Sequence, residues 1–290
     1  MSILIGIICP DGIIVASDSQ VTDPYQGTFS YTNKISTVSF NIDEILVAQA
    51  GLSSITNRIV ETMQAKSKGI KITNHQIVSK IVEDSIRESK QDLDEDQKKY
   101  VEQNGAELMV AFYVNGTPYL HTVNVIGSGI LEPSTKLFAT AGIGSYLANY
   151  LLREFVEPKE GVELAIATSI FVIKKVNDNT KFCGGETNVK RMGLVPVYNW
   201  DTQYVGKVLD TPQKFVNLTE KKLMKEYENT KKSRNKRVRA ILQNVGAKVW
   251  AEHLKKVKAE LKAEEEEENR NRAHAAIHNP VTVGVGESSS

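Results

Sequence analysis

A β-branched, apolar run from Ile3 to Cys9 is cut by Pro10-Asp11-Gly12 and resumes from Ile13 to Ser17. Two such runs around a turn signal read as a hairpin. Because the hairpin starts at the first residues, the N-terminus itself is expected inside a sheet, where it cannot fray. The run is too short to cross a bilayer, and no basic segment precedes it as in a signal peptide. The expectation is a cytoplasmic protein with no membrane partner.

Further strands and helices follow in blocks. Ile35 to Phe40 and Glu44 to Ala50 read as a second hairpin, turning near Asn41-Ile42-Asp43. Gly51 ends it, and Ser53 or Ser54 starts a helix with Ile55, Ile59, Val60 and Met63 on one face. A second helix begins near Asn74, and the polar stretch Glu88 to Asn104 reads as loop or helix end. Leu108 to Val114 and Tyr119 to Ile126 flank Asn115-Gly116, a two-residue turn signal. Leu137 to Thr140 is a short strand. One helix runs from Gly144-Ser145 to about Phe155, and another from near Pro158 to about Val176. Val189 to Val197 is the last core strand. Strands, two helices, strands, two helices and a strand predict an α+β fold, a four-layer αββα sandwich over residues 1–205.

The chain has 290 residues, 41% of them hydrophobic, enough for a sizeable core, and its formal net charge is +1. So balanced a charge argues against a nucleic-acid partner. Cys9 and Cys183 form no CxxC, and none of the five histidines stands at ligand spacing, so neither a disulfide framework, a metal nor a cofactor is expected. After about residue 205 the character changes to a charged helical extension over 206–275. Lys221 to Arg239 is basic, Val238 to Leu261 carries an apolar stripe, and Glu264 to Glu268 is acidic. Residues 276–290 read as a disordered tail.

Three polar residues frame the first hairpin: Ser2 begins it, Asp18 ends its second strand, and Lys34 follows the next loop. Singly, Asp18 reads as a strand-end cap and Lys34 as a surface lysine. Together they suit catalysis. Ser2 is small enough for Met1 to be removed, leaving a serine with a hydroxyl and a free α-amine. A hydroxyl needs a base to become a nucleophile, and an α-amine, with a pKa of about 7.7–8, is suited to that task. A nearby ammonium from Lys34 would keep the amine neutral, and Asp18 would anchor Lys34. Gly51, at a strand-to-helix turn, is a candidate N–H donor to an oxyanion.

Ser2, Gly6, Asp11-Gly12, Asp18, Thr22, Lys34 and Ala50-Gly51 follow in the order found in proteasome β-subunits and the bacterial heat-shock-locus V peptidase. Residues 2–200 resemble these N-terminal-nucleophile hydrolases. The resemblance implies a peptidase acting on peptides or proteins through an acyl-enzyme, with Ser2, Asp18, Lys34 and Gly51 as catalytic residues. It further implies Gln49, Val21 and Thr32 as substrate-binding residues, homo-oligomeric rings, and room for an ATPase partner. The sequence departs from the family in three places. Ser2 stands where the family has threonine, and Gly142-Ile143-Gly144 and Thr180 to Gly184 replace the serine- and aspartate-bearing supporting segments. Two alternatives share these residues: a weak or inert shell subunit binding partners through its C-terminal helices, and an acyl-transferase.

Overall fold

The computed structural model describes residues 2–22, 28–126, 132–133, 137–157, 159–196, 204–229, 238, 240–249, 251–252 and 255. The chain divides into two compact units, Met1–Ala247 and Lys248–Ser290, and the elements below belong to the first.

The opening hairpin forms as expected. β1 (Leu4–Cys9) pairs antiparallel with β2 (Gly12–Asp18), from Leu4 opposite Ser17 to Cys9 opposite Gly12. On the far side of β1 lies β10 (Phe138–Ala141). On the far side of β2 lie β11 (Thr187–Pro196) and then β12 (Tyr204–Asp210), giving the order β10-β1-β2-β11-β12. The second sheet, β5-β6-β7-β8-β9, runs from β5 (Ile35–Ser39) and β6 (Glu44–Gly51) through β7 (Ala106–Val114) and β8 (Thr117–Asn124) to β9 (Glu132–Pro133). Asn115 and Gly116 turn between β7 and β8, both with positive φ, as a tight hairpin requires.

Alternation along β6 shows how the layers close. Leu46, Ala48 and Ala50 point at the other sheet, where Leu4, Ile13 and Val15 meet them in one buried cluster. Ile45 and Val47 point the opposite way, into a second cluster with Ile55, Ile59 and Met63 of α1 (Ser53–Ser67) and Val78, Val82 and Ile86 of α2 (His75–Gln91). The first sheet is covered by α4 (Ser145–Phe155) and α5 (Val162–Asn179), the latter buried along most of its length. The four layers are helix, sheet, sheet, helix.

Several elements differ from the expectation. Glu95–Asn104 of the polar stretch is a helix, α3, closed by a capping box in which Asp94 and Gln97 bond each other's backbone N–H. Among the described side chains of α3 only Val101 is buried, so little apolar signal marked it. The sheet also takes in β12, which crosses the boundary drawn at residue 205. α6 (Gln213–Asn229) then packs on α5. A small pair, β3 (Gln20–Thr22) with β4 (Phe29–Tyr31), was not foreseen because it is too short to show a period. α5 begins at Val162, and Pro158 lies outside the described residues.

Within the C-terminal stripe, residues 240–247 of the first unit are helical, with Leu242 and Val245 buried. A Cβ on Gly246 would stand 3.2 Å from the Cβ of Ala167, so this helix crosses α5 closely there. The acidic run Glu264 to Glu268 and the tail 276–290 lie outside the described residues.

Candidate active site

The hairpin's open end assembles the polar cluster. Beyond the Leu4–Ser17 pair, the Asp18 N–H donates to the Ile3 carbonyl at 3.4 Å, while the Ile3 N–H donates to Asp18 Oδ1 at 3.1 Å. Ser2 is thereby set beside Asp18. Lys34 precedes β5, and its carbonyl accepts the Gln49 N–H at 3.1 Å, which ties it to β6. Its ammonium donates to Ser2 Oγ at 2.8 Å and to Asp18 Oδ1 at 2.7 Å. The other Asp18 oxygen, Oδ2, accepts the Gly184 N–H at 3.1 Å.

All three side chains are out of water: Ser2 is 3% exposed, Asp18 0% and Lys34 5%. Burial pulls the Lys34 ammonium below its ordinary range, and the Asp18 carboxylate only partly restores it. A lysine so placed is a poorly hydrated positive charge aimed at the serine oxygen.

The Ser2 backbone is fixed from the opposite direction. Its carbonyl accepts the Gly144 N–H at 3.3 Å. Gly142 has φ +85°, and a Cβ there would fall 2.3 Å from the Ser2 oxygen, so only glycine fits. The Gly142 N–H donates to Glu107 Oε2.

A cleft of about 330 Å³ opens against Ser2, lined by Ser2, Ala50, Gly51, Gln103, Gly105, Glu107, Gly142 and Ile143. Gly51 lies in it with φ +101°, and a Cβ there would meet the Gly105 carbonyl at 2.5 Å. The structure thus brings together Ser2, Asp18 and Lys34, with Gly51 lining the same cleft as Ser2. Gln49, Val21 and Thr32 are not among the residues lining that cleft. Gln49 is buried and its Nε2 donates to Ser36 Oγ at 3.3 Å. Val21 sits opposite Ser30 in the β3–β4 pair, and the exposed Thr32 donates its N–H to the Ser19 carbonyl at 2.9 Å.

The departures in the supporting segments have visible consequences. Ile143 is 49% exposed at the cleft. Cys183 is buried, with Sγ 3.2 Å from a Cβ built on Gly144. Burial and then the Asp18 charge push its thiol up to about 12, so it is a neutral filler and no nucleophile. Asn179 bonds the Lys175 carbonyl of its own helix at 2.7 Å.

Glu107 and Gln103 were not anticipated at the site, whereas Gly184 belongs to the supporting segment Thr180 to Gly184. Glu107 directly precedes the apolar run at Leu108, and only the observed register, Ala50 opposite Glu107 and Gly51 opposite Ala106, carries the strand back to it. Among the described residues no group of three or more His, Cys, Asp or Glu is arranged to hold a metal ion, and no helix is long and apolar enough to cross a membrane.

A family model for the proteasome subunit matches residues 2–192. No curated protein sequence matches the chain. Solved structures with the same fold include Anbu (ancestral beta-subunit) from Yersinia bercovieri: 12% identity, TM-score 0.60, 78% of this chain and 95% of that one. A second is the helical assembly of the Anbu complex from Pseudomonas aeruginosa: 13% identity, TM-score 0.59, 78% and 94% covered. A third is an Anbu Gly-1 mutant from Hyphomicrobium sp. strain MC1: 11% identity, TM-score 0.58, 79% and 97% covered. At such identities the likeness concerns the fold.

Proposed function

This chain belongs to the proteasome subunit family, and from that premise we propose that it hydrolyses amide bonds with Ser2 as an N-terminal nucleophile once Met1 is removed. The observation that carries this reading is the single lysine ammonium bonded to both Ser2 Oγ and Asp18 Oδ1 in a buried setting.

In the proposed cycle the freed Ser2 amine takes the hydroxyl proton, and Oγ attacks the substrate carbonyl. The Lys34 charge favours the developing alkoxide and holds the amine neutral until it is needed. The Gly51 N–H faces the oxyanion of the tetrahedral intermediate. The protonated amine then passes its proton to the leaving nitrogen, the C–N bond breaks, and an ester to Ser2 remains. Water, deprotonated by the same amine, attacks the ester carbonyl; the C–Oγ bond breaks, the acid leaves, and the amine returns its proton to Ser2 Oγ. Gln49, Val21 and Thr32 are proposed to hold the acyl part of the substrate. The helical assembly described for the Pseudomonas aeruginosa relative supports self-association of this chain as well.

N-terminal mass spectrometry of the purified chain, followed by labelling with a peptide epoxyketone, tests this directly. Loss of Met1 and an adduct on Ser2 are expected, with hydrolysis reduced on the order of 10³-fold in Ser2→Ala. Retained Met1, or equal labelling of Ser2→Ala, would remove the mechanism and leave the shell-subunit alternative.

A further inference from the structure

Among the described residues lining the cleft beside Ser2, Glu107 carries the one ionisable side chain. The buried charges behind Ser2 cancel, because Lys34 is matched by Asp18. Glu107 has no such match. It forms no ion pair among the described residues, and its recorded partner is the neutral Gly142 N–H on Oε2. An amide N–H fixes a carboxylate in place without neutralising it, and the charge stays poorly compensated until a cation arrives.

Position decides which part of a substrate meets that charge. Glu107 lies opposite Ala50 in the β6–β7 register, one pair from Gly51, so it neighbours the proposed oxyanion donor. The residues proposed to hold the acyl part, Val21, Thr32 and Gln49, do not line this cleft. With the acyl part assigned to those residues, this cleft is the one left for the leaving-amine side of the substrate. We propose that Glu107 is a specificity-determining residue: it favours substrates whose first residue after the cut bond carries a lysine or arginine side chain. This rests on the hydrolase reading above and adds its substrate class.

The test uses the full-length chain and internally quenched peptides that differ only in the residue after the cut: lysine, arginine, alanine or glutamate. With lysine or arginine, kcat/KM should exceed that for alanine by about tenfold, as one close charge pair in a partly open site allows. Glu107→Gln preserves an acceptor for the Gly142 N–H, which separates charge from structure, and should bring the lysine-to-glutamate ratio towards one. Glu107→Lys should invert it. Equal rates on all four peptides, or a ratio unmoved by Glu107→Gln, would overturn the inference. Should no peptide be cut, the hydrolase reading fails on its own, and the same peptides are titrated calorimetrically onto the Ser2→Ala chain. Tighter binding of the lysine peptide, lost in Ser2→Ala/Glu107→Gln, supports the assignment; equal binding, or none, overturns it.

Discussion

The β1–β2 hairpin carries an aspartate at each end, and the two ends handle charge in opposite ways. At the open end, Asp18 is fully buried and meets a lysine ammonium and two backbone N–H groups. At the turn, Asp11 is exposed and accepts the Val162 N–H at 3.0 Å, joining the turn to the start of α5. Around it the nearby charges are mostly of one sign. Burial, then Asp11, Glu160 and Glu163, push the Cys9 thiol up to about 12, and burial lifts the Glu160 carboxyl to about 7. Arg191 feels Glu163 and Asp11 there too, but burial draws its guanidinium below the ordinary range. One aspartate is a structural acceptor in reach of water; the other belongs to a dry, charge-matched site. What separates them is whether the fold delivers a cation.

Removing that cation should have the largest effect. Lys34→Met leaves Asp18 charged, buried and unmatched, at a cost of about 3–5 kcal/mol, and abolishes Ser2 labelling. Thermal melts of the variant check this, and a melting temperature equal to that of the unaltered chain would show that the open end is not a charge-matched site. At the turn, Asp11→Ala loses one hydrogen bond to α5, worth about 1 kcal/mol. Ser2 labelling by the epoxyketone should stay at its original rate, and a slowed rate would mean the two ends are coupled. The smallest effect, because Glu160 is only partly buried and solvent screens its charge, is a pH dependence. In the folded chain Glu160 holds its proton up to about pH 7, while the unfolded carboxyl releases it near the ordinary 4.5. Its contribution is therefore intact below about pH 4.5 and declines as pH rises through 7. Glu160→Gln should melt above the unaltered chain beyond about pH 7 and coincide with it below about pH 4.5; parallel curves across that window would break the contrast.

Local patterns marked elements wherever apolar residues repeated strongly. The run Ile3 to Cys9, save Ile3 itself, the run Leu108 to Val114 and the stripe from Ile55 to Met63 lie in the elements expected of them. Where burial rests on few side chains the pattern was silent. α3 was announced only by the Asp94 and Gln97 capping pair, and β12 was masked by the charged residues that follow it. Glu107 reaches the site through strand register, which no local spacing reveals.

By itself, then, the sequence determined the layered fold, because apolar periodicity and turn chemistry act over a few residues at a time, while Ser2, Asp18 and Lys34 were singled out by their order along a family-like pattern. Only the tertiary structure decided that Lys34 Nζ lies 2.8 Å from Ser2 Oγ, that Asp11 and Asp18 serve different ends, and that Glu107 is the one ionisable side chain among the described residues lining the cleft. Those outcomes depend on distance between segments far apart in the chain and on the exclusion of water, and electrostatics takes its strength from both.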